Sequence, residues 1–267
     1  MDSLARSPER PVTADRRRYR AVLSYVGTEF RGWQIQRNAP RTVQAVLETA
    51  LREFAGEPVR AVAAGRTDAG VHADGQVVHF DLPGGPDPGA VRDSVNALLP
   101  ADARLREVRE AAAGFHARRN ALWKEYVYRW SRAPVIAPRD APFVAPISRK
   151  AEAARMAAAA EFLTGRRDFG VFAVRSRDDD PVRTLHAVTI REEGAELTAT
   201  FRGDAFLRGM VRSMCGLLAD VARGRFPPER LREILETGDR RLLAQKAPAK
   251  GLTLARVEYP NERTALN

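Results

Sequence analysis

Gly65-Arg66-Thr67-Asp68-Ala69-Gly70-Val71-His72 holds the densest set of reactive side chains in the chain. It lies between two runs that read as strands, Pro58 to Ala64 and Gln76 to Leu82, and it is too elaborate for a simple hairpin link. An arginine two residues from an aspartate favours the carboxylate anion in a confined place. Such an anion can attack covalently or stabilise a developing positive charge. Thr67-Asp68-Ala69-Gly70 is also sound β-turn chemistry, and aspartates often sit in turns only to bond the backbone. On its own the stretch favours the turn role. Arg66, which no turn needs, and flanking strands that can carry a loop to a cleft point instead to a catalytic Asp68.

Other candidates are spread along the chain. In Lys124-Glu125-Tyr126-Val127-Tyr128, alternation puts both tyrosines on one face of a strand. They read as core aromatics, or as a ring that stacks on an unpaired base. Arg212 interrupts an apolar helical run from Phe206, where it must snorkel or meet a carboxylate. It either joins Arg208 in a basic surface stripe or pairs with Asp68 across a cleft. Leu252 closes the breaker-rich loop Ala247-Pro248-Ala249-Lys250-Gly251 and reads as part of a connector or as an apolar wall for a base. Phe30-Arg31-Gly32-Trp33-Gln34 and Phe115-His116-Ala117-Arg118-Arg119 interleave aromatics with arginines. Each alone is compatible with edge packing, and together they match the composition of an RNA groove. Trp33, Gln34 and Arg118, with His72 at the end of the aspartate loop, are the further candidate substrate contacts.

The charge balance points the same way. The 267 residues carry 44 basic against 34 acidic side chains, a net charge of +10. Of the basic residues 40 are arginine and four are lysine, and the guanidinium fork suits phosphate and stacks on bases. This predicts a polyanionic partner. Cys215 is the only cysteine, so no disulfide forms within the chain, and its apolar helical setting reads as core. His72, His79, His116 and His186 show no ligand spacing, which argues against a zinc site. The Arg-rich start lacks the apolar core of a signal peptide, and no run approaches 18 apolar residues. The expectation is a cytoplasmic protein without membrane contact.

These residues need a frame to bring them together. Tyr19 to Val26 reads as a strand, and Thr42 caps a helix running to about Phe54, ended by Gly56. After the two strands flanking Asp68 come a helix from Ala90 to Leu99 and a strand from Ala103 to Glu110. That order is β-α-β-β-α-β, the split βαβ unit of ferredoxin-like folds. The second half repeats it: a strand from Asn120 to Ser131, a helix from Ser148 to Leu163, a hairpin of Thr184 to Arg191 with Glu196 to Arg202, helices from Phe206 to Ala222 and Pro228 to Glu236, and a strand from Leu254 to Tyr259. The four-proline connection from Arg132 to Ile147 is expected to cross the surface. The predicted class is α+β: two ferredoxin-like, RRM-like halves sharing a mostly antiparallel sheet, with helices on one face and a cleft between the halves. Residues 1–17 form a predicted disordered basic tail whose Arg16-Arg17-Arg18 run reaches toward RNA. The halves span 18–112 and 113–260, and 261–267 is a second tail.

From about Tyr19 to Pro260 the chain resembles the tRNA pseudouridine synthase A family. The Gly65 to Ala73 stretch carries the likeness most sharply. It is supported in order by Gly-Thr-x-Phe-x-Gly-Trp-Gln (27–34), Thr-Val-Gln (42–44), Gln-Val-x-His-Phe (76–80), Asn-x-Leu-Leu-Pro (96–100) and Phe-His-Ala-Arg (115–118). Tyr-x-Tyr (126–128), Asp-Phe (168–169), Pro-Val-Arg-Thr (181–184), Ala-Phe-Leu-x-x-Met-Val-Arg (205–212) and Ala-Pro-Ala-x-Gly-Leu (247–252) follow. The resemblance implies conversion of uridine to pseudouridine in the tRNA anticodon stem-loop, at positions 38, 39 and 40, with no metal and no cofactor. It implies a homodimer with one tRNA across both subunits. It makes Asp68 the nucleophile, Arg66 the group that helps displace the target base, Tyr126 the stacking ring, Arg212 the ionic partner of Asp68 and Leu252 the residue packed on the uracil.

Four places depart from the family pattern. Val26 replaces a usual aspartate, and Ser213-Met214-Cys215 replaces Asn-Ile-Val. Gln245-Lys246 replaces a Gly-Pro or Pro-Thr type of pair, and Phe169-Gly170-Val171-Phe172 lacks a serine before its second phenylalanine. They bear on substrate position and loop geometry, not on the nucleophile. Two other classes compete. A catalytically silent RNA-binding protein with two RRM-like halves lacks support because no run matches the aromatic RNP1 pattern. A glycoside hydrolase needs a carboxylate partner for Asp68, and only Asp74 is near in sequence.

Overall fold

The computed structural model describes residues 16–38, 41–174 and 180–260. The first half runs β1 (Arg16–Tyr25), α1 (Val43–Ala55), β2 (Val62–Ala63), β3 (His72–Pro83), α2 (Pro88–Leu98) and β4 (Ala103–Ala111). The second runs β5 (Trp123–Ser131), β6 (Ala145–Pro146), α3 (Ala153–Glu161), β7 (Gly165–Asp168), β8 (Val182–Glu193), β9 (Glu196–Gly203), α4 (Met210–Ala222), α5 (Arg230–Thr237) and β10 (Leu252–Glu258).

Local chemistry sets the helix ends. Thr42 Oγ1 accepts the Ala45 N–H at the start of α1, and Gly56 takes the left-handed conformation that ends it. Asp87 caps α2 through the Ala90 N–H, with Pro88 in its first turn. Along β1, Tyr19, Ala21, Leu23 and Tyr25 alternate into the core, where Leu47 and Leu51 of α1 and Val91 and Val95 of α2 are also buried.

One ten-stranded sheet carries both halves, in the order β4-β1-β3-β10-β5-β9-β8-β7, with β2 on β3 and β6 on β5. The order β4-β1-β3-β2 of the first half recurs as β10-β5-β9-β8 in the second. Because β2 is only two residues long, the other end of β3 stays open and β10 pairs there, Thr253 opposite His72. That junction is parallel, whereas β1–β3 and β10–β5 are antiparallel. β1 and β5 therefore point the same way. Right-handed crossovers then lay the helices of both halves on one face, and the α+β class expected from the sequence is the class found.

Several boundaries differ for identifiable reasons. The strand expected from Pro58 shrinks to β2 because the Ala61 N–H bonds Glu48 Oε1 of α1 instead of a ladder carbonyl. The helix expected from Ser148 begins at Ala153: Ser148 Oγ and its carbonyl accept the Lys150 and Ala151 N–H groups, which forms a turn. The helix expected from Phe206 begins at Met210, because Gly209 is left-handed. The edge strand β7 reads Gly-Arg-Arg-Asp and has no apolar alternation to announce it. The Arg132 to Ile147 connection contributes β6 and packs Phe143 on the His72 ring at 4.9 Å.

β1 begins at Arg16, inside the segment expected as a tail. Arg16, Arg17 and Arg18 pair with Glu57, Glu110 and Asp81, so the run expected to reach RNA is engaged within the fold. The rest of that expected tail, and the one at 261–267, lie outside the described residues.

Candidate active site

The Asp68 loop is clamped before it is charged. Tyr25 OH shares a 2.8 Å hydrogen bond with Thr67 Oγ1, the Trp33 N–H donates to the Thr67 carbonyl at 3.1 Å, and the Gly70 N–H donates to the Phe30 carbonyl at 3.2 Å. Gly27 lies so close that a Cβ there would stand 2.0 Å from the Val71 carbonyl oxygen. The Gly-Thr-x-Phe-x-Gly-Trp motif is thus the cradle of the loop. The turn role of Asp68 is also real, since its carbonyl accepts the Val71 N–H at 3.2 Å. Its carboxylate is left for other work.

That carboxylate meets Arg212. Arg212 Nη1 stands 3.4 Å from Asp68 Oδ2, with about a quarter of each side chain exposed (22% and 24%). The guanidinium is aimed by the backbone of the 245–247 segment: its Nε donates to the Ala247 carbonyl at 2.9 Å, and the Ala247 N–H returns a bond to the Arg212 carbonyl at 3.0 Å. Gly216, one turn along α4, makes this approach possible, because a Cβ there would lie 2.0 Å from the Gln245 carbonyl oxygen. Lys246 adds a second cation: burial and neighbouring arginines lower its pKa, and the charge of Asp68 opposes them.

Tyr126 is 7% exposed and packs edge-on against Phe206, centroids 5.1 Å apart. Burial pushes its phenol pKa well up, and the nearby Tyr25 and Asp68 push it further. It is therefore a neutral phenol across the physiological range. Its hydroxyl has no hydrogen-bond partner among the described residues. Arg66 is exposed on the loop. Leu252 opens β10 next to Thr253, the partner of His72, and is 4% exposed. Arg118 is exposed on a turn that His116 Nδ1 holds by accepting the Arg118 and Arg119 N–H groups at 3.1 and 3.2 Å. His79 holds the same turn through the Ala117 N–H.

Three expected substrate contacts are placed otherwise. Trp33 is buried in the core, because the cradle turns its ring inward. Gln34 is half-buried and donates to Gln44 Oε1 at 2.9 Å, in a chain that continues to Glu48. His72 is buried, with its Nδ1 accepting the Gly27 N–H and its Nε2 donating to the Pro142 carbonyl, both at 3.0 Å. Both ring nitrogens are thus engaged, and the neutral tautomer is set by its neighbours.

Burial accordingly pushes the His72 imidazole below its ordinary value. Below the usual pKa of about 6.5 the unfolded chain binds a proton that the folded chain refuses. The stability His72 supplies is present above that pH and lost as pH falls through it. We expect the thermal midpoint to drop on acidification across this window, and the drop to be smaller in His72→Gln. Identical pH profiles for the two proteins count against this placement.

A cavity of about 310 Å³ opens between the halves, lined by Tyr25, His72, Val127, Arg129, Phe143 and Thr253 among others. Val127 and Arg129 alternate with Tyr126 and Tyr128, so this cavity lies across the sheet from the Asp68 centre, which does not line it. Among the described residues no group of three or more His, Cys, Asp or Glu side chains is placed to hold a metal, and no helix is long and apolar enough to cross a membrane.

The fold and this meeting of groups define a class: an α+β enzyme with a carboxylate–arginine centre where its two halves join. The sequence profile of the family described as tRNA pseudouridine synthase matches residues 21–118 and 159–260. Relatives named tRNA pseudouridine synthase A include one from Chlamydia trachomatis serovar L2b, 40% identical over 242 residues, covering 89% of this chain and 90% of the relative. One from Pseudomonas aeruginosa is 42% identical over 241 residues, covering 90% and 85%. A third, from Exiguobacterium sibiricum, is 38% identical over 251 residues, covering 94% and 100%. The chain belongs to the tRNA pseudouridine synthase family, a family of isomerases.

Proposed function

We propose that this enzyme isomerises uridine to pseudouridine in the anticodon stem-loop of tRNA, at positions 38, 39 and 40, with Asp68 as the nucleophile on a flipped uridine. The observation that carries this reading is the 3.4 Å pair between Asp68 on the loop before β3 and Arg212 on α4, beside the Tyr126 ring. Isomerisation breaks the N1–C1′ bond, turns the uracil, forms a C5–C1′ bond and releases the C5 proton. An anion held by an arginine suits either covalent attack or stabilisation of charge at C1′.

The base must first leave its stack, which Arg66 assists from the loop while Tyr126 receives the ring. Burial favours the neutral phenol, which suits Tyr126 as a platform for the uracil. Leu252 closes the apolar side. On this reading the working unit is a cytoplasmic homodimer with one tRNA across both subunits. The test is pseudouridine mapping of tRNA from cells with and without the protein. Loss of pseudouridine at positions 38 to 40 is expected, and an unchanged map there overturns the assignment.

A further inference from the structure

Lys124 stands on β5 two residues before Tyr126, with its side chain on the same face. It is 7% exposed, and among the described residues its ammonium has neither a carboxylate nor a carbonyl partner. Its stem is buried while its ammonium reaches solvent, open to an anion. A Cβ built on Gly65 would lie 3.7 to 3.9 Å from the last two carbons and the amine of Lys124. The ammonium therefore sits at the entry of the loop that carries Arg66 and Asp68.

The neighbours that act on it are cations. Burial, then Arg118, then Arg183 push its pKa down, to about 8. Arg183 comes from the Pro-Val-Arg-Thr motif at the start of β8, and its Nε is buried without a partner while its Nη1 turns to the Asp180 and Val182 carbonyls. Arg118 arrives from the turn before β5. Two nearby acids are engaged elsewhere: Glu125, on the other face of β5, faces Arg202 at 3.6 Å, and Asp204, next to the Gly203 that pairs with Lys124, bonds His186 at 2.5 Å. Three elements thus supply three cations near enough to act on one another, and Lys124 among them stands beside the reacting loop.

We propose that Lys124, with Arg118 and Arg183, holds a phosphate of the RNA backbone next to the uridine that enters the Asp68 site. A phosphodiester supplies the negative charge this corner lacks, and the two guanidinium groups suit its oxygens. Lys124 is the buried member and sets the position. Its distance from Tyr126 along β5 is about 7 Å, so a nucleotide whose base lies on the Tyr126 ring brings its backbone within reach. The inference rests on reading the site as a uridine isomerase, which its test can separate.

The experiment uses the full chain, an unmodified tRNA transcript and Lys124→Met, which keeps an unbranched stem in the same space. Affinity is measured across a salt series. Lys124→Met is expected to bind roughly tenfold more weakly, with the slope of log K against log salt reduced by about one, while Lys124→Arg keeps the wild-type slope. Methylphosphonates at the phosphates flanking the reacting uridine should weaken binding to wild type but add no further loss in Lys124→Met. A folded Lys124→Met with the wild-type slope overturns the proposal, as does an equal methylphosphonate loss in both proteins. Raising the melting temperature with inorganic phosphate, while the RNA slope ignores Lys124, points to a free-anion site and also overturns it. If Lys124→Met does not fold, Arg183→Met carries the same two outcomes. If the slope changes as expected but wild type modifies no uridine, the phosphate site stands and the isomerase reading fails.

Discussion

Replacing Asp68 with asparagine is expected to lower turnover by roughly 10⁴-fold or more, the scale on which removal of a catalytic nucleophile acts, while the protein still binds tRNA. The variant keeps the size of the side chain and the backbone bond from Val71 to the residue 68 carbonyl, so the loop keeps its shape. Its cradle, built from Tyr25, Gly27, Phe30 and Trp33, does not involve the carboxylate at all. What is lost is the anion facing Arg212. The measurement is tritium release from 5-tritiated uridine in a tRNA transcript, with binding followed in parallel by filter retention. Release by Asp68→Asn or Asp68→Ala near the wild-type rate would remove Asp68 from the mechanism. Loss of binding together with release would instead make the aspartate a fold or docking residue.

Asparagine in place of aspartate also separates the two competing classes. A catalytically silent RNA-binding protein has no release for the substitution to abolish. For such a protein the change only adds positive charge to a basic surface, and binding strengthens slightly. The neutral phenol of Tyr126 sharpens the same contrast, because it leaves Asp68 as the anion beside the ring.

The fold was legible where side chains repeat with a period. The alternation of β1 and the cap and stop of α1 announced themselves, and the matching order of the two halves followed from them. β7 was not legible, since four charged or small residues at a sheet edge carry no apolar period. The Asp68 motif marks the loop in the sequence, whereas the carboxylate's partner lies 144 residues away. Trp33 and His72 read as substrate contacts yet lie buried, because residue type does not reveal whether a ring faces solvent or a cradle. Gly27 and Gly216 give no local signal of the backbones that press on them. Lys124 did carry a signal: period-two alternation puts it on the buried face with Tyr126 and Tyr128, where a lysine without a partner is uncommon.

Arg212 is where the second large effect is expected, and it decides between the two roles its sequence allowed. As a member of a basic stripe with Arg208, it contacts RNA, and removing it weakens binding and lowers the salt slope. As the partner of Asp68, it acts on chemistry. Its aim favours the second role, because Nε is fixed on the Ala247 carbonyl and Nη1 is left toward Asp68. Arg212→Met is therefore expected to lower kcat by about 10²–10³-fold, comparable to losing one preorganised charge-stabilising donor, with KM for tRNA nearly unchanged. Arg212→Lys should recover only part of this loss, since one ammonium cannot hold both the Ala247 carbonyl and the carboxylate in the same fork geometry. Lys246, whose amine already feels the charge of Asp68, limits the deficit by keeping a cation nearby, so Arg212→Met with Lys246→Met should lose more than the sum of the single changes. A raised KM with an unchanged kcat in Arg212→Met would place the arginine on the RNA and leave Asp68 to be oriented by its loop alone.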